Sequence, residues 1–295
     1  MATPTLNGAE RITGELIDIY LPLTQAADRR INPRRWLLAD YSTAAHSEFS
    51  SYEDALAWMD SAAPVIRGCI RIANATSRHE AAWKFAEALH GWLHIRKDFR
   101  LWRLTHEIAE ESSRECCSAS HARILASLGE CHLWLEENGI AEAYLQRALA
   151  QWRTAEHSLG QASTLEGLGT VELKKGNPEQ ARDHVMTARG MFAQEGRERG
   201  VVLMTRRVGE TYLAEGRFHE SLKHLDMAYR WFRSDGDSYQ QVRTGRSRIR
   251  ALARAGKTVE AHTLLRDIIG VAEEIGADND AHELARMAEQ TTAGL

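Results

Sequence analysis

Apolar residues along most of this chain fall three and four positions apart, the spacing of one helical face, and short polar or glycine-containing stretches interrupt them. The pattern repeats. LASLGECHLWLEENG (125–139), LEGLGTVELKKGN (165–177) and TRRVGETYLAEGR (205–217) align at an offset of 40 residues. A small residue recurs at Gly129, Gly169 and Gly209, and the turn glycines Gly176, Gly216 and Gly256 keep the same interval. A second register agrees: Ala148, Ala188 and Ala228, the large residues Trp152, Phe192 and Phe232, and Leu145, Val185, Leu225 and Leu265 on the same face. Two registers with one period predict a repeated antiparallel helix pair, an amphipathic A helix, a short turn and a B helix. Asn177 before Pro178 reads as an N-cap followed by a first-turn proline, and Thr258 as an N-cap hydroxyl. Gly129, Gly169 and Gly209 read as packing residues that let neighbouring helices approach.

Leu168-Gly169 with Ala188, and Gly209, Tyr212 and Ala228, resemble the tetratricopeptide repeat. The resemblance implies an all-α, right-handed superhelical solenoid of antiparallel helix pairs whose inner face, lined by A helices, captures partners. A unit with Leu252, Gly256, Ala261 and Leu265 has Ile249 where the glycine is expected. An earlier one at 80–116, with Leu89, Trp92 and Ala109, fits after a one-residue slip in its B helix. Against the family's usual repeat of about 34 residues, the longer period implies longer helices, or longer inter-unit loops such as AEHSLGQAS (155–163) and QEGRERG (194–200). Residues 50–93, through Glu53, Ala55, Leu56 and Trp58, resemble the junction before the tetratricopeptide arm of actinobacterial antibiotic-pathway regulators of the SARP or AfsR type. That resemblance implies a sensor or docking arm in regulation, standing alone or cut from a longer chain. The expected organisation is an N-terminal helical cap and linker (1–48), with polar Ser42, Thr43, Ser47, Ser50 and Ser51, and a helical junction (49–78). Repeats follow (79–277), then a terminal helix with solvent-facing acids and a frayed TTAGL tail (278–295).

Composition narrows the function. In 295 residues, 43% are hydrophobic and 26% charged, and the formal net charge of -4 argues against a general nucleic-acid or membrane-surface binder. Only Pro178 follows Pro64, which leaves a tract open to helices and excludes an all-β reading. With no apolar run long enough to span a bilayer and no secretory pattern at the start, a cytoplasmic location is expected. Cys69, Cys116, Cys117 and Cys131 lack metal-ligand spacing and read as reduced thiols. ALARAGKT (251–258) has the outline of a phosphate loop, but a helix precedes it and Gly256 falls on the repeat turn. Paired acids such as Glu110 and Glu111 diverge on a helix. No enzyme, cofactor or metal is assigned.

The resemblance, carried along the 40-residue register, places Trp83, His90 and His94, then Arg123, Glu130 and Trp134, on the inner face. Glu166, Thr170 and Lys174 follow, then Arg206 and Glu210, and finally Arg243, Arg246, Arg250 and Arg254. The last four share one helical face, where like charges repel and guanidinium forks suit carboxylates. The expected partner is a protein or peptide with acidic groups or a terminal carboxylate, gripped by these arginines, with Trp83 and Trp134 holding apolar side chains. The competing bland state is pairing of the arginines with acids such as Glu210 on a neighbouring helix. The alternative function is a small-molecule sensor enclosed near Trp83, His90, His94 and Trp134. His90 and His94 with His106 have a spacing that could chelate a metal. Direct nucleic-acid binding is not expected; a homodimer through a terminal helix pair is a further candidate.

Overall fold

The computed structural model describes residues 8–41 and 48–292, with side chains from 14 to 41 and from 48 to 287. Ser42, Thr43 and Ser47 of the polar segment and residues 293–295 of the tail lie outside the described residues. The described residues form helices and no strand. These are α1 (Gly8–Ile31), α2 (Tyr52–Ala75), α3 (His79–Ala88), α4 (His90–Arg96), α5 (Phe99–Arg114), α6 (Ser118–Trp134) and α7 (Asn138–Thr154). They continue with α8 (Ser158–Lys175), α9 (Pro178–Gln194), α10 (Glu198–Ala214), α11 (Phe218–Asp235), α12 (Ser238–Arg254), α13 (Thr258–Glu274) and α14 (Asp278–Thr292). The chain divides into two compact units, the first Met1–His94 with Asp98–Gly160, the second Ile95–Lys97 with Gln161–Leu295.

From α6 onward a helix starts every 20 residues, at Ser118, Asn138, Ser158, Pro178, Glu198, Phe218, Ser238, Thr258 and Asp278. The 40-residue period is therefore two equal halves. AEHSLGQAS and QEGRERG are not long loops: tight turns at 155–157 and 195–197 separate helices such as α7 and α9, each 17 residues long. Each turn places one residue in the left-handed region, at Glu136 and Glu156 and then at Gly176, Gly196, Gly216, Gly236, Gly256 and Gly276. Paired backbone bonds close the helix end. After α10, the Arg217 amide donates to Tyr212 O at 2.9 Å and the Gly216 amide to Leu213 O at 3.1 Å. Two expected caps are corrected. Asn177 sits at the N-cap, but its amide donates to Glu172 Oε2 at 2.8 Å in place of capping. The N-cap of α13 is Lys257, one residue before Thr258.

In the second unit, α9 to α14 each pack on the next helix in sequence, around Leu225, Val242, Ile249, Leu252, Leu265, Ile268 and Leu284. Gly209 permits the α10–α11 approach, since a β-carbon there would lie 2.8 Å from Leu225 Cγ and 3.2 Å from the Ser221 carbonyl oxygen. In the next pair Ile249 occupies the register position and joins the core, while the close approach moves one turn earlier. A β-carbon on Gly245 would lie 2.7 Å from Ile268 Cγ1.

In the first unit α1, α2, α3, α5, α6 and α7 pack together, with α2 capped by Ser51 Oγ accepting from the Asp54 amide at 3.0 Å. Residues after α1 form a strap held by buried charge. Arg35 pairs with Asp28 and donates to Tyr41 Oη at 3.1 Å and to Glu87 O at 2.9 Å. Glu87, buried on α3, accepts the Leu38 and Ala39 amides, each at 2.9 Å. These bonds satisfy charges whose desolvation would otherwise oppose folding. They also fix the strap beside α6.

Candidate functional site

In the second unit polar side chains on α8, α10, α12 and α14 meet one another. There the register positions meet as a charge ladder. Glu166 of α8 accepts from Arg207 Nε of α10 at 2.9 Å, and Arg207 Nη1 donates to Glu210 at 2.9 Å. Glu210 also accepts from Ser247 Oγ of α12 at 2.8 Å. Arg246 of α12 donates to Glu283 of α14 at 2.5 Å and lies 3.8 Å from Asp280. Asp280 is met at 2.6 Å by Lys97, from the short segment that belongs to this unit. Burial pushes Glu210 up, but Arg207 and Arg206 outweigh it and hold the carboxyl at about 2.

The ladder does not answer every arginine equally. Arg206 is 1% exposed, its two carboxylate neighbours stand at 3.7 Å (Glu166) and 4.0 Å (Glu210), and neither Nε nor Nη2 has a hydrogen-bond partner among the described residues. Burial, followed by the charges of Arg207 and Arg243, pulls its pKa down to about 9. It remains cationic at neutral pH. Arg243 is half-buried over the Tyr239 ring. Arg250 is exposed, reaches Glu283 only at 3.5 Å, and is lowered by burial of its stem and by Arg246. Arg254 is exposed with no acidic partner among the described residues.

The first unit gathers the other predicted residues. Trp83 lies in the core with Ala86, Ala109, Ile124 and Leu128. Arg123 donates to Glu87 at 2.9 Å and covers the Trp36 ring at 4.8 Å, so it braces the strap. His94 of α4 is buried edge-on to Trp102 at 4.8 Å and Trp134 at 6.4 Å, and Trp134 stacks on Phe99. His90 is half-buried, one helical turn before His94, with ring centroids 4.4 Å apart. His106 stands outside the group formed by His90, His94 and Glu130: its Nδ1 lies 3.0 Å from Trp102 O and 3.1 Å from Thr105 Oγ1, and its Nε2 is buried without a hydrogen-bond partner among the described residues. Burial lowers its pKa to about 3.

The sequence reading missed Arg207, whose position beside Arg206 placed it off the expected face, and the Asp28–Arg35–Tyr41–Glu87 network. Asp280 and Glu283 correct the expectation of a solvent-facing acidic terminal helix. Asp280 is 2% exposed and both acids answer arginine on α12. Extending the 40-residue register from Arg243 lands on Glu283, a signal that was available.

Antiparallel helix pairs, close-packed at small residues from α6 onward, make this an all-helical repeat fold similar to the tetratricopeptide repeat. Residues 120–194 match the tetratricopeptide repeat family model. No curated protein matches the sequence. Among solved structures, a Rap protein complexed with Competence and Sporulation Factor is similar at a TM-score of 0.65 and 14% identity, over 95% of this chain and 88% of that one. Aspartyl phosphate phosphatase F from Bacillus subtilis gives 0.56 at 12% identity, over 100% and 85%. BtubC from P. vanneervenii gives 0.55 at 14% identity, over 75% and 92%. At these identities the likeness is one of fold. Among the described residues no helix is long and apolar enough to cross a membrane.

Proposed function

We propose that the chain is a non-enzymatic docking module in regulation, whose second unit captures a protein or peptide segment bearing acidic side chains or a free terminal carboxylate. The observation that carries this is Arg206: a guanidinium 1% exposed, with two nitrogens lacking hydrogen-bond partners and its nearest carboxylates at 3.7 and 4.0 Å. A buried cation so weakly answered is costly, and a carboxylate ligand supplies what the ladder leaves out. Arg243, Arg250 and Arg254 extend the same charge along α12, with the last two exposed for first encounter. That the Rap structure is a complex with Competence and Sporulation Factor supports this fold as a host for a bound factor. The junction-like stretch at 50–93 supports a regulatory setting.

The test is fluorescence anisotropy of the full chain with acidic peptides, each made with a free and with an amidated C-terminus. Acidic, free-carboxylate peptides should bind, more weakly as salt rises. Arg250→Glu with Arg254→Glu reverses two exposed charges, each worth on the order of 1 kcal/mol, and should weaken binding about tenfold or more with unchanged helical circular dichroism. Equal affinity in the doubly reversed chain would remove the arginine anchor from the account.

A further inference from the structure

The first unit holds a donor set that peptide docking leaves unused. His90 and His94 stand one turn apart on α4, and Glu130 of α6 reaches across to them. One donor atom from each lies within 4.8 Å of the others, and His94 Nε2 is already 3.3 Å from Glu130 Oε1. We propose that His90, His94 and Glu130 bind one first-row divalent cation, with Zn2+ the best fit, through two imidazoles and a carboxylate with a fourth position open.

Donors about 2.0–2.1 Å from a tetrahedral ion sit about 3.3 Å from one another. The His94–Glu130 spacing meets that value, and modest side-chain rotation closes the widest gap. The cations nearby are paired, Arg123 with Glu87 at 2.9 Å and Arg35 with Asp28, and the Glu130 carboxylate would offset part of the ion's charge. Two nitrogens and one oxygen suit Zn2+ better than the oxygen-seeking Mg2+ or Ca2+. A bound ion would tie α4 to α6 and leave one position for water or for a donor atom of a partner. This site does not rest on the arginine ladder, because its residues and its readouts are different.

The full chain without a histidine tag, stripped with chelator, is titrated with Co2+ and then Zn2+. The expected result is one equivalent of Co2+ with the intense visible absorption of a four-coordinate site, displaced by one equivalent of Zn2+. Trp102 and Trp134, beside His94, should report the same stoichiometry by quenching. His90→Gln and Glu130→Gln should each weaken binding at least about tenfold, the lower range seen even for outer-layer partners of a metal ligand. His262→Gln, in the second unit, should leave it unchanged. Circular dichroism confirms that each variant folds. Absence of saturable one-equivalent binding, or binding that survives both His90→Gln and Glu130→Gln, overturns the proposal.

Discussion

Glu156 shows what a single residue contributes to the repeat. It occupies the left-handed region at φ 51°, where six later turns use glycine. A β-carbon there meets the backbone and costs about 1–2 kcal/mol, whereas glycine adopts the same angle freely but loses more chain entropy on folding. Strain relief wins narrowly. Glu156 is exposed, so Glu156→Gly removes no packing, and its urea midpoint should rise by the equivalent of about 0.5–1 kcal/mol. Gly216→Ala makes the opposite change at φ 76° and should lower stability by about 1 kcal/mol. A Glu156→Gly chain less stable than its parent would show that the turn is not strained.

Helices meet where a missing side chain lets them. At Gly209 even one added carbon must displace Leu225 Cγ, 2.8 Å away, in a core with no slack. Gly209→Val should therefore cost about 1–3 kcal/mol, and Gly190→Val, where a β-carbon meets nothing within 4 Å, only the smaller propensity change. Matched urea titrations check the contrast; equal losses would deny the close approach. Such contacts explain what was legible. Gly129, Gly169 and Gly209 face the same partner positions Leu145, Val185 and Leu225, so the packing constraint is written into the sequence at a fixed spacing. The 20-residue half-period is written in the six glycines from Gly176 to Gly276, and Glu136 and Glu156 interrupt that mark only at the two turns before them. Gly245 was hidden because the contact shifted by one turn. The arginine face could be read from spacings along α12, and the 40-residue register from Arg243 reaches Glu283, but Asp280 on α14 and the meeting of Arg35 with Glu87 52 positions away could not be read. Pairings of that kind depend on tertiary placement, which no local pattern encodes.

At the scale of the whole chain, the units carry different buried ionisable groups, and acid should separate them. Stacked repeats lose all-or-none unfolding as they lengthen, so the units can report individually. In the first unit burial holds His106 at about 3, near Arg123 and Glu130, and holds His90 well below its ordinary range. An unfolded histidine takes up its proton near pH 6.5, so below that pH the unfolded chain binds protons that the folded unit refuses. Stability present above pH 6.5 is then lost progressively toward pH 3, on the order of a few kcal/mol for His106. Asp28, pushed up by burial despite Arg35, offsets part of this only where it protonates. In the second unit Glu210, held at about 2, keeps its contribution until the pH falls below about 4.5, and half-buried His224, lowered by burial, adds a smaller loss. Hydrogen exchange followed by mass spectrometry, corrected for intrinsic rate, should show α5 and α6 losing protection between pH 7 and pH 5 while α10 and α11 retain theirs. Replacing His106 with Gln, which carries no titrating proton, should flatten that fall in α5. Uniform loss across both units, or earlier loss in α10, would mean that buried histidine does not set the acid limit of the first unit.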